Sequence, residues 1–562
     1  MSRSFLLILV VLIFTPHTFA QGGTGIPREA QVDKLFAAWD KPESPGCAVA
    51  IIKDGRVVHA RGYGMANLDY EIPISSKTIF NIASTSKQFT AASIAILARQ
   101  GKLSLDDDIH KFLPQLPRYS NPVTIRQLIH HTSGIREYPH LLQLAGLFEQ
   151  NATTEDVIKM IARQKELNFT PGSEYLYSNS GYILLAQIVK AVSGKSLREF
   201  ADANIFQSLK MSHTSFVDDG KEIVKNRATG YSPRPGGFSV EMVLHPQAGP
   251  SGLLTSVDDL VLWDQNFYAN KMTAGPDLIS QLITPGTLNS GEKIDYAFGL
   301  DIETYRGLKV IGHGGASYGF TSDMIRFPDQ RFSVICLCNL SNIESGRLTR
   351  QVADIYLADE FKRTEQSNDE ASLPAPKPKQ VPEEELTAVA GSYFNFASNN
   401  FRRIYVKNGK LFYSRGGSES ELAPLGNNRF LMLGVPDRIE ITFKSPRPGA
   451  PLQMFTAANG KVFIVHESVK PATYTSQQLA EFTGKYHSDE IEASYTITRS
   501  GDKLMLARNG LDTDTPLALQ FADTFSAPGT GSLRFTRNKQ NHIDGFLLST
   551  GRIRALRFAK VK

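Results

Sequence analysis

Cysteine is scarce in this sequence, with three residues among 562. That number excludes a fold built on several disulfides. Cys336 and Cys338 alternate with apolar residues in a predicted buried strand, where neighbours on one face lie too far apart for an unstrained bridge. Cys47 lies in another apolar strand. We therefore expect three buried free thiols, and neither a thiol nucleophile nor a thiolate metal site.

A large excess of charge is also missing. The 61 basic and 56 acidic side chains leave a formal net charge of +5, and the basic residues are scattered along the chain. A nucleic-acid-binding surface needs massed Lys and Arg, so we predict none. No group of His, Cys and carboxylate residues has the spacing of metal ligands. The sequence therefore predicts no cofactor and no bound metal, and it leaves the oligomeric state open.

Long apolar runs are missing beyond the N-terminus. The one at residues 5–14 follows Arg3 and precedes small residues at 18 and 20, which is the layout of a secretory signal peptide over residues 1–20. Its apolar core is too short to cross a bilayer, which needs about 20 residues. We therefore expect a soluble protein without a membrane span, either secreted or periplasmic.

The remaining chain is too long for one hydrophobic core, so several domains are expected. The turn Asp54-Gly55 between two β-branched runs predicts a hairpin over residues 46–62, and strand patterns return after about residue 300. Strands at both ends of a helix-rich stretch predict an α/β (α+β) domain, residues 28–363, in which helices flank an antiparallel sheet.

A charged, proline-containing segment at 364–383 has no apolar periodicity and predicts an interdomain linker. Beyond it, short strand patterns repeat 93 positions apart (484 − 391), as in Gly391 with Gly484 and Tyr393 with Tyr486. Both copies contain a late turn of Asn or Thr, Gly and a basic residue, at 459–461 and 550–552. Small antiparallel units close into barrels to remove exposed edges. We predict two lipocalin-like β-barrels, residues 384–470 and 471–562.

The first candidate for catalysis is Ser84, three residues before Lys87 at the start of an apolar segment that ends at Gly101. In a first helical turn the two side chains share a face, and burial lowers the pKa of a Lys amine. A neutral amine can take the proton of a Ser hydroxyl, which activates the Ser without a His-Asp pair. The same spacing occurs at Ser500 and Lys503 in a predicted surface turn, so the pair alone does not establish a site.

The second candidate is the loop that carries Tyr177 and Asn179, before a helix predicted to begin near Gly181 and to end at Gly194. A cationic Lys nearby can lower the pKa of a Tyr, which can then relay protons, and an Asn amide can hold a substrate carbonyl. The alternative is that Asn179 only caps the helix.

The third candidate is the glycine-rich segment of His313, Gly314, Gly315 and Ala316, on a predicted edge strand. Glycines in a strand let another backbone approach closely, so a substrate peptide can lie against this edge and receive a hydrogen bond from a backbone N–H. The alternative is a glycine-rich bend in which His313 caps a carbonyl group.

Three motifs in this order resemble those of the serine β-lactamase and penicillin-binding-protein superfamily, especially its class C β-lactamases: Ser84-x-x-Lys87, Tyr177-x-Asn179 and His313-x-Gly315. The resemblance covers roughly residues 30–360. It implies that Ser84 is the acylated nucleophile and that Lys87 and Tyr177 handle protons. It further implies that Asn179 positions the substrate amide, and that the N–H groups of Ser84 and Ala316 form the oxyanion hole.

One motif departs from the family pattern. Members specialised for β-lactams carry Lys-Thr-Gly where this chain has His313-Gly314-Gly315. A Lys offers a fixed positive charge to a substrate carboxylate, whereas a His is mostly neutral above its pKa of about 6.5. We therefore expect weak carboxylate recognition at this strand and poor β-lactam hydrolysis. His-x-Gly forms resemble esterases and D-amino-acid-specific aminopeptidases of the superfamily, and the latter also carry two β-barrels after the catalytic domain.

Taken together, the motifs predict an exported serine hydrolase that acts through an acyl-enzyme on amide or ester bonds. Candidate substrates are small peptides, amides and esters, including D-amino-acid-containing peptides and cell-wall fragments. The alternative is a non-catalytic protein that binds cell-wall peptides or β-lactams in the same pocket. The barrels carry none of the three motifs in order, so we expect them to be accessory.

Overall fold

The computed structural model describes residues 26–361 and 378–561, except for gaps at 218, 242, 244, 273–274, 276, 416–417, 436–437, 459–460 and 509–512. The predicted signal peptide, residues 364–377 of the predicted linker and residues 459–460 of one repeat turn lie outside the described residues. No helix in the described ranges combines the length and the apolar character of a membrane span.

Polar caps mark the starts of several helices. Thr124, Thr153, Ser178, Ser196 and Ser256 each accept a hydrogen bond from the backbone N–H three residues later, which is the usual N-cap arrangement. In chain order the α-helices are α1 Arg28–Phe36, α2 Lys87–Arg99, α3 Ile125–Ile129, α4 Tyr138–Ala145, α5 Thr154–Ala162, α6 Asn179–Ser193, α7 Leu197–Ala201, α8 Gln207–Leu209, α9 Val257–Ala269, α10 Leu278–Leu282, α11 Ser345–Tyr356, α12 Glu383–Val389 and α13 Ser476–Ala480.

The long strands of the first domain lie near its two ends, short strands lie between them, and the C-terminal part consists mostly of strands. Those of the first domain are β1 Cys47–Lys53, β2 Arg56–Tyr63, β3 Met65–Asn67, β4 Ile72–Pro73, β5 Phe80–Asn81, β6 Ser215–Phe216, β7 Gly230–Arg234, β8 Gly237–Glu241, β9 Leu253–Thr255, β10 Asp301–Tyr305, β11 Leu308–Ser317, β12 Phe320–Phe327 and β13 Phe332–Cys338. The C-terminal strands are β14 Gly391–Asn395, β15 Asn400–Lys407, β16 Lys410–Arg415, β17 Ser418–Gly426, β18 Arg429–Met432, β19 Ile439–Lys444, β20 Gln453–Ala458, β21 Lys461–Val469, β22 Gly484–Ser488, β23 Ala493–Ser500, β24 Lys503–Arg508, β25 Thr515–Phe521, β26 Thr524–Ala527, β27 Gly531–Arg537, β28 Ile543–Thr550 and β29 Ile553–Lys560.

The central sheet of the first domain is antiparallel, in the order β10-β11-β12-β13-β1-β2. Alternate residues of β1 enter two different cores, as the period of a strand requires. Ala48 and Ala50 join the core that includes Phe89 of α2. Val49 and Ile51 join the core formed with α1 and α11. The predicted sheet, built from both ends of the domain and flanked by helices, is therefore confirmed.

The prediction of free thiols is wrong for two of the three cysteines. Cys47 on β1 lies directly opposite Cys338 on β13, and the two form a disulfide. Cys336 is a buried free thiol whose Sγ lies 3.5 Å from that of Cys338, and burial raises the pKa of this thiol. The bridged residues lie 291 positions apart. Only the register of β1 against β13 brings them together.

The C-terminal part contains two closed eight-stranded barrels, β14–β21 and β22–β29, which confirms the predicted all-β units. The repeated tyrosines have the same role in both. Tyr393 donates a hydrogen bond to the carbonyl of Val389, and Tyr486 donates one to the carbonyl of Phe482, each at 2.7 Å. Each tyrosine thus ties the first strand of its barrel to the segment just before it.

The second barrel packs directly on the first domain. Arg136 and Glu490 form an ion pair across the boundary at 2.7 Å, with side chains only 1% and 6% exposed. Tyr495 of β23 donates a hydrogen bond to the carbonyl of Leu144 on α4. Apolar residues of this barrel belong to the same continuous core as α2 and α6. The second barrel is therefore joined to the first domain by buried contacts.

Candidate active site

Ser84 lies on a strained turn between a short strand and a helix. β5 ends at Asn81, the 3-10 helix Ala83–Ser86 follows, and α2 begins at Lys87. Ala83 has a φ of +47°, and its N–H donates a hydrogen bond to the Asn81 side chain at 2.9 Å. Positive φ is unfavourable for a residue with a side chain, and such strain is concentrated at functional sites. The turn leaves the Ser84 side chain half-buried between buried neighbours.

Lys87 lies one turn after Ser84 and is fully buried. Its amine donates hydrogen bonds to Ser84 Oγ at 3.0 Å, to Asn179 Oδ1 at 2.7 Å and to the carbonyl of Pro250 at 2.8 Å. Burial lowers the pKa of Lys87 from 10.5 to about 7, and the nearby Glu137 carboxylate opposes that change. The amine therefore titrates near neutral pH while in contact with the Ser84 hydroxyl.

Asn179 begins α6, two residues earlier than predicted, but it does not cap the helix with its side chain. The cap is Ser178, which accepts a hydrogen bond from the N–H of Gly181. The Asn179 amide instead connects Lys87 to Glu137, because its Oδ1 accepts from the amine and its Nδ2 donates to Glu137 Oε1 at 2.7 Å. The alternative that Asn179 only caps the helix is therefore wrong.

Tyr177 lies beside this pair, with its ring centre 4.8 Å from Lys87 Nζ. The ring also packs on buried His131, at 4.2 Å between ring centres, and His131 Nδ1 accepts a hydrogen bond from the N–H of Ser178. The expected lowering of the Tyr177 pKa is not found, because burial raises it, and the interaction with Ser84 opposes the rise only partly. No described residue makes a hydrogen bond of ordinary geometry to the Tyr177 hydroxyl.

The second half of β11 runs past its neighbour. β10 pairs with β11 up to Gly312, so the segment of Gly315 and Ala316 extends beyond that pairing, and Ala316 is exposed. A Cβ at position 315 would lie 2.5 Å from the carbonyl oxygen of Ile82 and 2.9 Å from Ser84 N. Real side chains do not tolerate such distances. Glycine at 315 therefore lets the Ser84 turn lie directly against this strand.

His313 is buried and neutral. Its Nδ1 donates a hydrogen bond to the carbonyl of Gly314 at 2.6 Å, and its Nε2 accepts one from Tyr296 at 3.0 Å. The contact of His313 with a carbonyl, which belongs to the alternative interpretation, is thus present, but it lies on the regular strand β11 and not in a bend. Burial, with a contribution from Lys87, lowers the pKa of His313 to about 3. This position of the third motif therefore offers no positive charge at neutral pH.

Two residues of the site were not recognised in the sequence, Glu137 and Arg552. Glu137 Oε2 accepts a hydrogen bond from Asn179 N at 2.7 Å, and Glu137 Oε1 accepts one from Arg552 Nη1 at 2.9 Å. Arg552 belongs to the turn between β28 and β29, and its Cζ lies 5.0 Å from the centre of the Tyr177 ring. The 550–552 turn is visible in the sequence as part of the repeat, but nothing there connects it with the first domain.

A continuous chain of hydrogen bonds therefore runs from the second barrel to Ser84. Its members are Arg552, Glu137, Asn179, Lys87 and Ser84 in that order. Asn168 holds the barrel turn in place, because its side chain donates to the carbonyl of residue 552 and accepts from the N–H of residue 554, each at 2.8 Å. The second barrel therefore supplies a residue to this group of contacts, whereas the accessory role expected of the barrels in catalysis stays a prediction.

Potential metal ligands gather at one place in the described part of the chain, where Cys47, Cys336 and Cys338 meet. Two of these sulfurs are bonded to each other, so the group has a single free thiol. It lies within the central sheet rather than at Ser84.

Comparison with known proteins identifies a matching family and several relatives that cover parts of the chain. Residues 32–357 match the protein family Beta-lactamase. A D-aminopeptidase of Cereibacter sphaeroides is 31% identical over 305 residues, which is 52% of this chain and 57% of that protein. The chain thus spans little more than half the length of this relative. Penicillin-binding protein 4* of Bacillus subtilis is 28% identical over 435 residues, 74% of this chain and 94% of that protein.

Solved structures share the fold. The octameric penicillin-binding protein homologue from Pyrococcus abyssi has a TM-score of 0.53 and 23% sequence identity, covering 85% of this chain and 97% of that chain. The family match covers more than half of the 562 residues and includes the Ser84, Tyr177 and His313 segments. The chain therefore belongs to the β-lactamase family.

Proposed function

We propose that this protein is an exported serine hydrolase that acts through an acyl-enzyme on amide or ester bonds. The observation that carries the proposal is the 3.0 Å contact between Ser84 Oγ and the Lys87 amine, whose pKa burial lowers to about 7. Near neutral pH a large fraction of this amine is uncharged. It then serves as the base that a Ser nucleophile requires.

In the acylation step, Lys87 Nζ takes the Ser84 proton while Oγ attacks the substrate carbonyl carbon. The new C–O bond forms, and the carbonyl π electrons move to the oxygen, where the N–H groups of Ser84 and Ala316 stabilise the charge. The tetrahedral intermediate then collapses and the bond to the leaving group breaks. The leaving group takes a proton from Tyr177, and Lys87 returns one to the phenol.

The raised pKa of Tyr177 suits this direction of transfer. A buried phenol keeps its proton at neutral pH, so it is a proton donor to the departing amine or alkoxide rather than an anionic base. Water then attacks the acyl-enzyme, the ester bond to Ser84 Oγ breaks, and Ser84 recovers its proton. Asn179 holds the Lys87 amine in place and keeps its second Nδ2 hydrogen for the substrate carbonyl.

Small substrates with D-amino acids are the class we favour. The relatives named D-aminopeptidase support this choice, because two of them are 31% and 30% identical to this chain over 305 and 318 residues. The neutral His313 agrees with it, since the strand lacks the fixed charge expected in enzymes specialised for β-lactams. Esters with good leaving groups should also react, because they demand less of the proton donor.

The deciding experiment compares wild type with Ser84→Ala. We expect wild type to hydrolyse p-nitrophenyl acetate and D-alanine p-nitroanilide and to be labelled by a fluorophosphonate probe, and the variant to lose all three. The control is Ser500→Ala, which removes the Ser of the second Ser-x-x-Lys pair. This residue lies at the end of β23, next to a surface turn, so the variant should keep full activity. Full labelling of Ser84→Ala refutes the nucleophile, and absence of turnover by wild type refutes the hydrolase.

Export needs a separate test, because residues 1–20 lie outside the described residues. We expect the full-length chain, expressed in a Gram-negative host, to appear in the periplasm or the medium with Gln21 as its first residue. Retention of the complete chain in the cytoplasm would contradict export without affecting the proposed chemistry.

A further inference from the structure

Arg552 brings a positive charge from the second barrel to the residues around Lys87 and Tyr177. The guanidinium lies over the face of Tyr177, with 5.0 Å from Cζ to the ring centre. Its side chain is 35% exposed, although it bonds to the nearly inaccessible Glu137. Among the described residues, Glu137 is its hydrogen-bond partner through Nη1 alone. The other edge of the guanidinium therefore has donors available to a ligand.

The other cations of the site are not available in this way. The Lys87 amine contacts Ser84, Asn179 and Pro250 in either protonation state, so it has no donor left for a substrate anion. His313 is buried, and its two ring nitrogens contact the Gly314 carbonyl and Tyr296. Arg552 is thus the cation of this group that has a partly exposed side chain and unused donors.

We propose that Arg552 binds a carboxylate on the leaving-group side of the substrate, so that the protein prefers peptides whose released residue has a free α-carboxylate. A guanidinium presents two parallel N–H groups that match a carboxylate, which is the strongest common geometry for this recognition. The inference rests on the proposed function in one respect. We place the carboxylate on the leaving group because Tyr177, which Arg552 contacts, is the proposed proton donor to that group.

Glu137 does not cancel this role. It occupies one nitrogen of the guanidinium and also accepts hydrogen bonds from Asn179 N and Asn179 Nδ2. These contacts fix the carboxylate on the buried side of Arg552, and the Tyr177 ring lies against the face of the guanidinium. The exposed edge then needs little reorganisation to bind a second carboxylate, which favours specificity.

The test uses a matched pair of probes, D-alanyl-glycine and D-alanyl-glycinamide, which differ in the C-terminal charge. For wild type we expect kcat/KM to be about ten-fold or more higher for the free acid, the scale of one hydrogen-bonded contact to a charged group. Arg552→Gln should bring the ratio close to one, and Arg552→Lys should keep part of the preference. The ratio is the readout because a general loss of activity affects both probes equally.

The matched control is Arg554→Gln. Arg554 comes from the same barrel segment and pairs with Glu174, and it has no contact with Lys87 or Tyr177 among those described. Its substitution should leave the acid-to-amide ratio at the wild-type value. A ratio that changes equally in both variants would show a structural effect of the barrel and overturn the inference.

Binding to the Ser84→Ala protein separates this inference from the proposed function. Calorimetric titration of that variant with the two dipeptides measures recognition without turnover. A preference for the free acid that is lost in Ser84→Ala/Arg552→Gln supports the role of Arg552 even if wild type hydrolyses neither probe. Equal affinity for both dipeptides, or a preference that survives the Arg552 substitution, overturns it. Thermal unfolding of each variant establishes that the protein measured is folded.

Discussion

The close approach of the Ser84 turn to β11 makes Gly315→Ala the sharpest perturbation of this site. An added Cβ would lie 2.5 Å from the Ile82 carbonyl oxygen, 2.6 Å from Ser322 Oγ and 2.9 Å from Ser84 N. Ordinary van der Waals contact begins at 3.4 Å, so turn and strand must separate by about 0.9 Å, the difference between 3.4 and 2.5 Å. Two of the three neighbours are backbone atoms, which cannot rotate away.

The expected loss follows from that displacement. A shift of about 1 Å in a reacting group costs about 10²-fold in rate. Overpacking of a buried site costs ~1–3 kcal/mol of stability. We therefore expect Gly315→Ala to fold, to unfold at a lower temperature than wild type, and to hydrolyse p-nitrophenyl acetate with kcat reduced about 100-fold. Rates are measured at saturating ester and corrected for the folded fraction from circular dichroism.

The neighbouring glycine provides the control. A Cβ at Gly314 would lie 3.3 Å from Asp323 Oδ1 and 3.7 Å from the Ser322 carbonyl oxygen, so a small adjustment of one side chain accommodates it. Gly314→Ala should keep most of the activity. Wild-type kcat in folded Gly315→Ala, or an equal loss in Gly314→Ala, would refute the argument that Gly315 sets the position of Ser84.

Two further predictions follow from buried charges. The uncharged amine of Lys87 is the active form, and burial lowers the pKa of Lys87 to about 7, so kcat/KM for p-nitrophenyl acetate should rise with pH through a midpoint near 7. A midpoint near 10 would contradict this. Lys87→Ala should lower kcat/KM by ~10²–10⁴-fold. Glu490→Gln leaves the Arg136 charge buried and should lower the free energy of unfolding by about 3–5 kcal/mol in urea titrations. Glu492→Gln, which removes the exposed pair with Arg163, should change it by at most ~1 kcal/mol, and equal effects would refute the distinction.

The sequence predicts those parts of the fold that depend on interactions between residues close together in the chain. The Asp54-Gly55 turn predicts the β1–β2 hairpin, and these strands pair around it. The repeat of Tyr393 and Tyr486 predicts two similar barrels. In both barrels the tyrosine donates a hydrogen bond to the carbonyl four residues earlier, so the repeat reflects a shared local contact. The Cys47–Cys338 bridge could not be predicted, because it depends on the pairing of strands from opposite ends of the domain.

The candidate site likewise has residues that the sequence predicts and residues that it does not. The three motifs identify Ser84, Lys87, Tyr177 and Asn179, whose side chains meet within one group of contacts. Arg552 lies 415 positions from Glu137, and its turn has the composition of any surface hairpin. Its place at the site results from the packing of one barrel on one domain. The raised pKa of Tyr177 could likewise not be predicted from the sequence, because the burial that raises it depends on residues distant in the chain.

The second barrel also explains how a carboxylate can lie so close to a Lys that must lose its proton. Burial raises the pKa of Glu137, and the Arg552 charge opposes this rise, which favours the ionised form. Glu137 accepts hydrogen bonds from Arg552 Nη1 and from Asn179 Nδ2, so the Asn179 amide turns its Nδ2 to Glu137 and its Oδ1 to Lys87. Glu137 raises the pKa of Lys87 and Arg552 lowers it. Arg552 therefore allows Glu137 to orient Asn179 while offsetting its effect on the pKa of Lys87.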